Sequence, residues 1–114
     1  MGSYAGQGDY AELVGLLDRL HKEVDALRRA GCQLASNEAD YRVALRLRIL
    51  DERQAGTPVT IISDICRGDE HIAQLKQARD CSEAIYKASL EAINAIKLQI
   101  RVVEAQIERE YPIN

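Results

Sequence analysis

Six cations gather near the middle of this sequence. Arg42, Arg46 and Arg53 recur on nearby turns of one helical stretch, Arg67 ends a second, and Lys76 and Arg79 rise on a third. A guanidinium donates from a planar fork that matches phosphate or carboxylate, so the grouping points to holding an anion rather than to making or breaking bonds. The candidate ligand set is Arg42, Arg46, Arg67 and Arg79 with the hydroxyls of Thr57 and Thr60. Free N–H groups of a short helix opening at Pro58 add to it, with Tyr41 or Tyr86 available to stack a base. Arg79 supports the set because it interrupts an otherwise apolar seam, where a charge needs a carboxylate or a ligand. The competing reading is a solvated face in which Asp51, Glu52, Asp64 and Asp80 balance the arginines.

No other constellation suggests catalysis, and the chain is expected not to be an enzyme. His21 and His71 have no Cys, Asp or His at a repeating ligand spacing, so neither a metal nor a cofactor is expected. Asp69 and Glu70 suit the start of a helix, where carboxylates meet unpaired N–H groups. There is no Gly-rich phosphate loop, activated nucleophile or cofactor fingerprint. "TIISDICRGDEHIAQL" has two helical pieces around Gly68, but acids crowd what would be the DNA-reading helix of a helix-turn-helix and would repel phosphates. The "RGD" of Arg67 to Asp69 carries no weight as an adhesion motif. Cys32, Cys66 and Cys81 are odd in number and lack ligand spacing, which predicts reduced thiols packed as small apolar groups.

The elements that would position the arginines are two long helices and a short connector, an all-α fold. Asp9 and Glu12 form a capping-box-like pair that opens the first helix. Leu13, Leu17, Leu20, Val24, Leu27, Gly31, Leu34, Glu38, Tyr41 and Leu45 then alternate spacings of four and three. Small and cap-prone residues from Gly31 to Asp40 weaken this seam and offer a kink or break near Gly31 or Ser36 as the alternative, but Tyr41 and Leu45 keep the register and favour one continuous helix. Gly56 suits a left-handed C′ position, Thr57-Pro58 reads as N-cap and first helical residue, and Asp69 caps the last helix. That helix keeps its rhythm from Ile72 and Leu75 through Arg79, Ser82, Tyr86 and Ser89 to Ile93, Ile96, Ile100, Val103 and Ile107. The expected organisation is a flexible segment 1–8 and one domain 9–111, with helices 9–55, 58–67 and 70–111. At 1.5 Å per residue the long helices span roughly 65 and 60 Å, matched lengths that imply an antiparallel hairpin.

The connector is unusual in carrying Val59, Ile61, Ile62, Ile65 and Cys66 where a polar turn would suffice. Val59, Ile62 and Ile65 are expected to fold down on the hairpin or on a second subunit. A lone hairpin also leaves Leu16, Leu47, Ile85 and Leu90 facing water, so a homo-oligomeric helical bundle is expected. Its interface would be built from Leu47, Leu50, Ile93, Ile96, Ile100, Val103 and Ile107. The 114 residues carry a net charge of −3 with both signs interspersed, which argues against a general nucleic-acid or membrane-surface binder. Nothing in "MGSYAGQGDY" reads as a signal peptide, and the expected setting is cytosolic.

From "YRVALRLRILDERQAGTPVTIISDICRGDEHIAQLKQARD" through "AINAIKLQIRVVEAQIERE" the chain resembles small helical-hairpin proteins encoded by phages and prophages of Gram-positive bacteria. The resemblance covers roughly residues 41 to 110, with the Gly-Thr-Pro and Arg-Gly-Asp junctions its most recognisable parts. That family brings no assigned biochemistry and hence no functional residues. It implies a setting, an accessory protein made during infection or from a prophage in the host bacterial cytosol. Two kinds of function follow as expectations. One is a non-enzymatic binder that counters a host defence, by sequestering a nucleotide signal or occluding a host protein. The other is an accessory to phage DNA replication or recombination that contacts single-stranded DNA or its machinery. The mild acidity favours the first.

Overall fold

The computed structural model describes residues 5–112 and contains three helices: α1 (Ala5–Gln54), α2 (Val59–Gly68) and α3 (Glu70–Glu110). The chain is all-α. α1 starts earlier than the expected residue 9, so positions 5–8 of the expected flexible segment are helical, while 1–4 lie outside the described residues. Asp9 is therefore inside the helix rather than its cap. It meets Glu110 of α3 there, and tertiary contact outweighs the poor helix propensity of Gly6 and Gly8.

α1 also runs unbroken through Gly31 and Asp40. The weak zone is filled from α3. A Cβ on Gly31 would stand 3.7 Å from Cε2 of Tyr86, an ordinary contact, so the Tyr86 ring packs beside this position. Asn37 Nδ2 donates to Ser82 Oγ (2.6 Å) and to the Ala78 carbonyl (3.3 Å), while its Oδ1 accepts from Gln33 (2.9 Å). Ser82 is the one buried polar side chain among the described residues, and this bond satisfies it.

α1 closes in a Schellman motif. Gly56 has φ +80° and donates to the Arg53 carbonyl, and Thr57 N–H reaches the Glu52 carbonyl, both at 3.1 Å. This corrects the reading of Thr57 as an N-cap: Pro58 holds that position without a side-chain cap, and the Thr57 hydroxyl donates to Glu52 Oε2 instead (2.5 Å). Asp69 does cap α3, its Oδ1 accepting from the Ile72 N–H at 3.1 Å.

The described residues group into two compact units. The first joins α1 up to Arg28 with α3 from Lys87; the second is Arg29–Tyr86. In the first unit the helices pair antiparallel, and Leu16, Ile96 and Val103 form a buried core with Leu13, Leu20, Ile100 and Ile107 packed against it. Leu16 rather than Leu17 points inward, at 6% exposed against 40%, and Val24 is likewise exposed. Ile93, Ile96 and Val103, three residues of the expected interface, are buried within the chain itself, and Ile100 and Ile107 pack partly buried against this core. Leu47 and Leu50, the other part of that expected interface, remain exposed.

In the second unit the contacts Gly31 to Tyr86, Asn37 to Ser82 and Arg48 to Asp69 descend α3 as they climb α1, again antiparallel. α2 buries Ile62 and, completely, Cys66, with Ile65 half-buried. Val59 stays 73% exposed, contrary to the expectation that it folds down.

Candidate anion-binding groove

Tyr41, Leu45, Ile49 and Arg53 lie four residues apart and therefore share one face of α1. That face meets Val59, Ile62, Ser63, Cys66 and Arg67 of α2, which are spaced three and four apart on the shorter helix. Between them is a groove of about 290 Å³, at the lower end of the size that holds small ligands. Its floor is aliphatic and its two ends carry guanidinium groups. Neither Arg53 nor Arg67 has an ion-pair or hydrogen-bond partner among the described residues, unlike most of their neighbours.

Arg42 binds Glu38 at 2.6 Å. Arg79 reaches Glu38 at 3.4 Å and Asp80 at 2.8 Å, and its guanidinium lies 4.8 Å from the Tyr41 ring centroid. The charge expected to need a carboxylate or a ligand therefore has carboxylates. The Arg42 hydrogen bond, helped by Arg79, holds the Glu38 carboxyl below the ordinary glutamate range, and the Arg79 hydrogen bond does the same for Asp80. Thr57 is committed to Glu52. Arg46 and Thr60 are exposed and do not line the groove. Tyr86 sits against Gly31, about 15 Å along α1 from Tyr41. Of the residues expected to bind an anion, Arg67 lines the groove, together with Tyr41. The others named above do not converge there, and Arg53 supplies the second cation.

Arg48 escaped the sequence reading. Its Nε donates to Asp69 Oδ2 (3.2 Å) and its Nη1 to Glu52, so one side chain joins the end of α1 to the cap of α3. With Thr57 on the other oxygen of Glu52, a polar chain spans both ends of α2 and fixes the wall of the groove. The Thr57 hydroxyl, then Arg48, holds the Glu52 carboxyl below its ordinary range. The Ile72 N–H, with Arg48 adding to it, does so for Asp69. The signal available in the sequence was the i, i+4 Arg48–Glu52 pair beside the cap residue.

No family model matches this chain, and no curated protein or solved structure matches it.

A second depression, of about 450 Å³, adjoins the groove and shares Tyr41 and Arg67 with it, adding Ile72, Ala73 and Lys76. Together they present cations over apolar surface, an arrangement suited to an anion with an apolar body. Among the described residues no group of three His, Cys, Asp or Glu is placed to hold a metal ion, and His21 and His71 are exposed. The expectation of packed thiols holds for Cys66 alone, since Cys32 and Cys81 are exposed. No helix among the described residues is long and apolar enough to cross a membrane.

Proposed function

We propose that the protein acts by binding rather than by catalysis, as a phage-type accessory factor that sequesters a small anionic ligand of the nucleotide class. The observation that carries this reading is the pair Arg53 and Arg67, two cations without carboxylate partners at the rim of an apolar groove that Tyr41 also lines. Both side chains are exposed, and an arginine left unpaired beside an apolar groove has its donors available for a charge-assisted bond to a phosphate. Counter-defence is the role that fits sequestration, with the host cytosol as its place. Occlusion of a host protein is the form this role takes if the exposed apolar residues Val43, Leu47 and Leu50 form the contact. Association between copies would cover the same three residues, and light scattering tests it.

Thermal-shift measurements against a panel of nucleotides, and against single-stranded oligonucleotides at two salt concentrations, test the proposal. Stabilisation by a nucleotide that is lost in Arg53→Gln and Arg67→Gln supports it. Salt-sensitive stabilisation by oligonucleotides alone would replace it with a role in phage DNA replication or recombination. No stabilisation by any anion would remove the groove as a ligand site.

A further inference from the structure

We propose that α1 pairs with α1 of a second copy of this chain, parallel and in register, through Val43, Leu47 and Leu50. The three residues recur at spacings of four and three on one face of the helix, and they are 60, 57 and 42% exposed. This face is not the one that carries Tyr41, Leu45, Ile49 and Arg53, so the inference is independent of the anion-binding reading. Ala39 and Ala44 flank the stripe and line, with Leu75 of α3, a shallow recess of about 400 Å³ that leaves room for facing side chains. Charge selects the occupant. Arg46 and Asp51 border the stripe on its two sides, and neither has an ion-pair partner among the described residues. In a parallel pair of helices the residue before one apolar position faces the residue five further on in the other helix. Arg46 then meets Asp51 of the second copy, and Ala39 meets Ala44. Antiparallel pairing of the same stripe sets Arg46 against another Arg46 or against Arg53, and like charges disfavour it. Asp40 ends the stripe one step before Val43, so the parallel pair brings two Asp40 carboxylates together at its edge. Three large apolar side chains per copy fall short of a standard interface, and the dissociation constant is expected on the order of 100 μM.

Sedimentation equilibrium of the full chain across concentrations from about 10 μM to about 1 mM tests the pairing. The mass is expected to rise from 12.7 kDa towards twice that value. Leu47→Asp should hold the chain monomeric throughout, and because Leu47 is exposed its helicity by circular dichroism should not change. Should that variant lose helicity, the charge exchange decides. Arg46→Glu is expected to weaken association by about tenfold, because two symmetry-related pairs turn from attraction to repulsion. Asp51→Arg should do the same, and combining the two changes should restore the original affinity. Asp40→Asn should tighten the pair by removing the one repulsive contact. A chain that stays monomeric at every concentration overturns the proposal and assigns the stripe to a different protein. Association that survives in a folded Leu47→Asp variant, or a mass beyond the dimer, overturns it too. An Arg46→Glu variant that associates as well as or better than the natural chain overturns the parallel register. None of these outcomes bears on the groove, whose ligand is tested separately.

Discussion

Ile96 offers the sharpest test of where the core lies. It is 2% exposed beside Leu16 and Val103, with Leu13, Leu20, Ile100 and Ile107 around them, and all of these belong to the same chain. Ile96→Val deletes one methyl-sized group and should cost about 1 kcal/mol; Ile96→Ala leaves a larger cavity and should cost about 3 kcal/mol. For a chain of this size the alanine variant should melt roughly 15 °C lower. Ile96→Asp places an unpaired charge in the same position and should cost several kcal/mol, enough to unfold this unit. Leu98, two residues on and 59% exposed, is the control, and Leu98→Ala should change stability by less than about 0.5 kcal/mol. Urea unfolding followed by circular dichroism at widely separated protein concentrations reads all four variants. An intrachain core makes the Ile96 losses independent of concentration, whereas a core shared between copies makes them concentration-dependent. Equal costs at Ile96 and Leu98, or losses that vanish at high concentration, would refute the assignment of this face to the interior of one chain.

Gly56→Ala should destabilise by about 1 kcal/mol because φ +80° is strained for a residue with a Cβ, while Gly68→Ala, which meets open space, should not; chemical denaturation distinguishes them. Gly31→Ala should be tolerated or stabilise by up to about 1 kcal/mol, since its Cβ would make an ordinary contact with Tyr86 and alanine favours the helix. The Asp9 carboxylate and burial raise the Glu110 pKa, with Arg109 opposing. The folded state therefore binds that proton more tightly, and stability falls as pH rises from the ordinary glutamate range through the raised value. Glu110→Gln should thus raise the melting temperature at neutral pH, with the gain fading in acid below that range. Glu52 and Asp69 behave oppositely. Their depressed values mean that their contribution is complete above the ordinary carboxylate range and is lost as pH falls through the depressed values, so amide exchange in α2 should quicken there, and an unchanged exchange pattern in strong acid would refute the clamp.

The α3 seam was legible because its β-branched residues repeat without a competing register, and the structure buries Ile72, Ile93, Ile96 and Val103. The α1 seam was less so. Leu16 and Leu17 are adjacent and equally apolar, and only contact with α3 decides which faces inward. The continuous α1 was legible from the register that Tyr41 and Leu45 keep, whereas the alternative of a kink near Gly31 rests on local propensity, which cannot see a ring arriving from a residue 55 positions later, Tyr86. Arg42 and Arg46 looked like a site because they recur four residues apart, but that spacing says only that they share a stripe. Arg53 continues the stripe of Tyr41, Leu45 and Ile49, and that stripe meets α2. Arg48 reads as surface charge until Glu52 and Asp69 are seen on either side of it. The turn at Gly56 was legible because the left-handed conformation has few solutions, whereas the role of Thr57 depended on which carboxylate lay within reach.

The three thiols divide the protein's chemistry by accessibility. Cys32 and Cys81 are exposed, while Cys66 has no exposed surface and lies at the base of the groove. An alkylating reagent will therefore modify two sulfurs at the rate of an open thiolate and the third only during the moments when α2 lifts. With the exposed positions changed to serine, the slow labelling rate at Cys66 divided by that of an unfolded chain becomes the equilibrium constant for that lifting. The natural sequence thus carries its own clock for the groove, and any molecule that closes it will slow the clock in proportion to its occupancy.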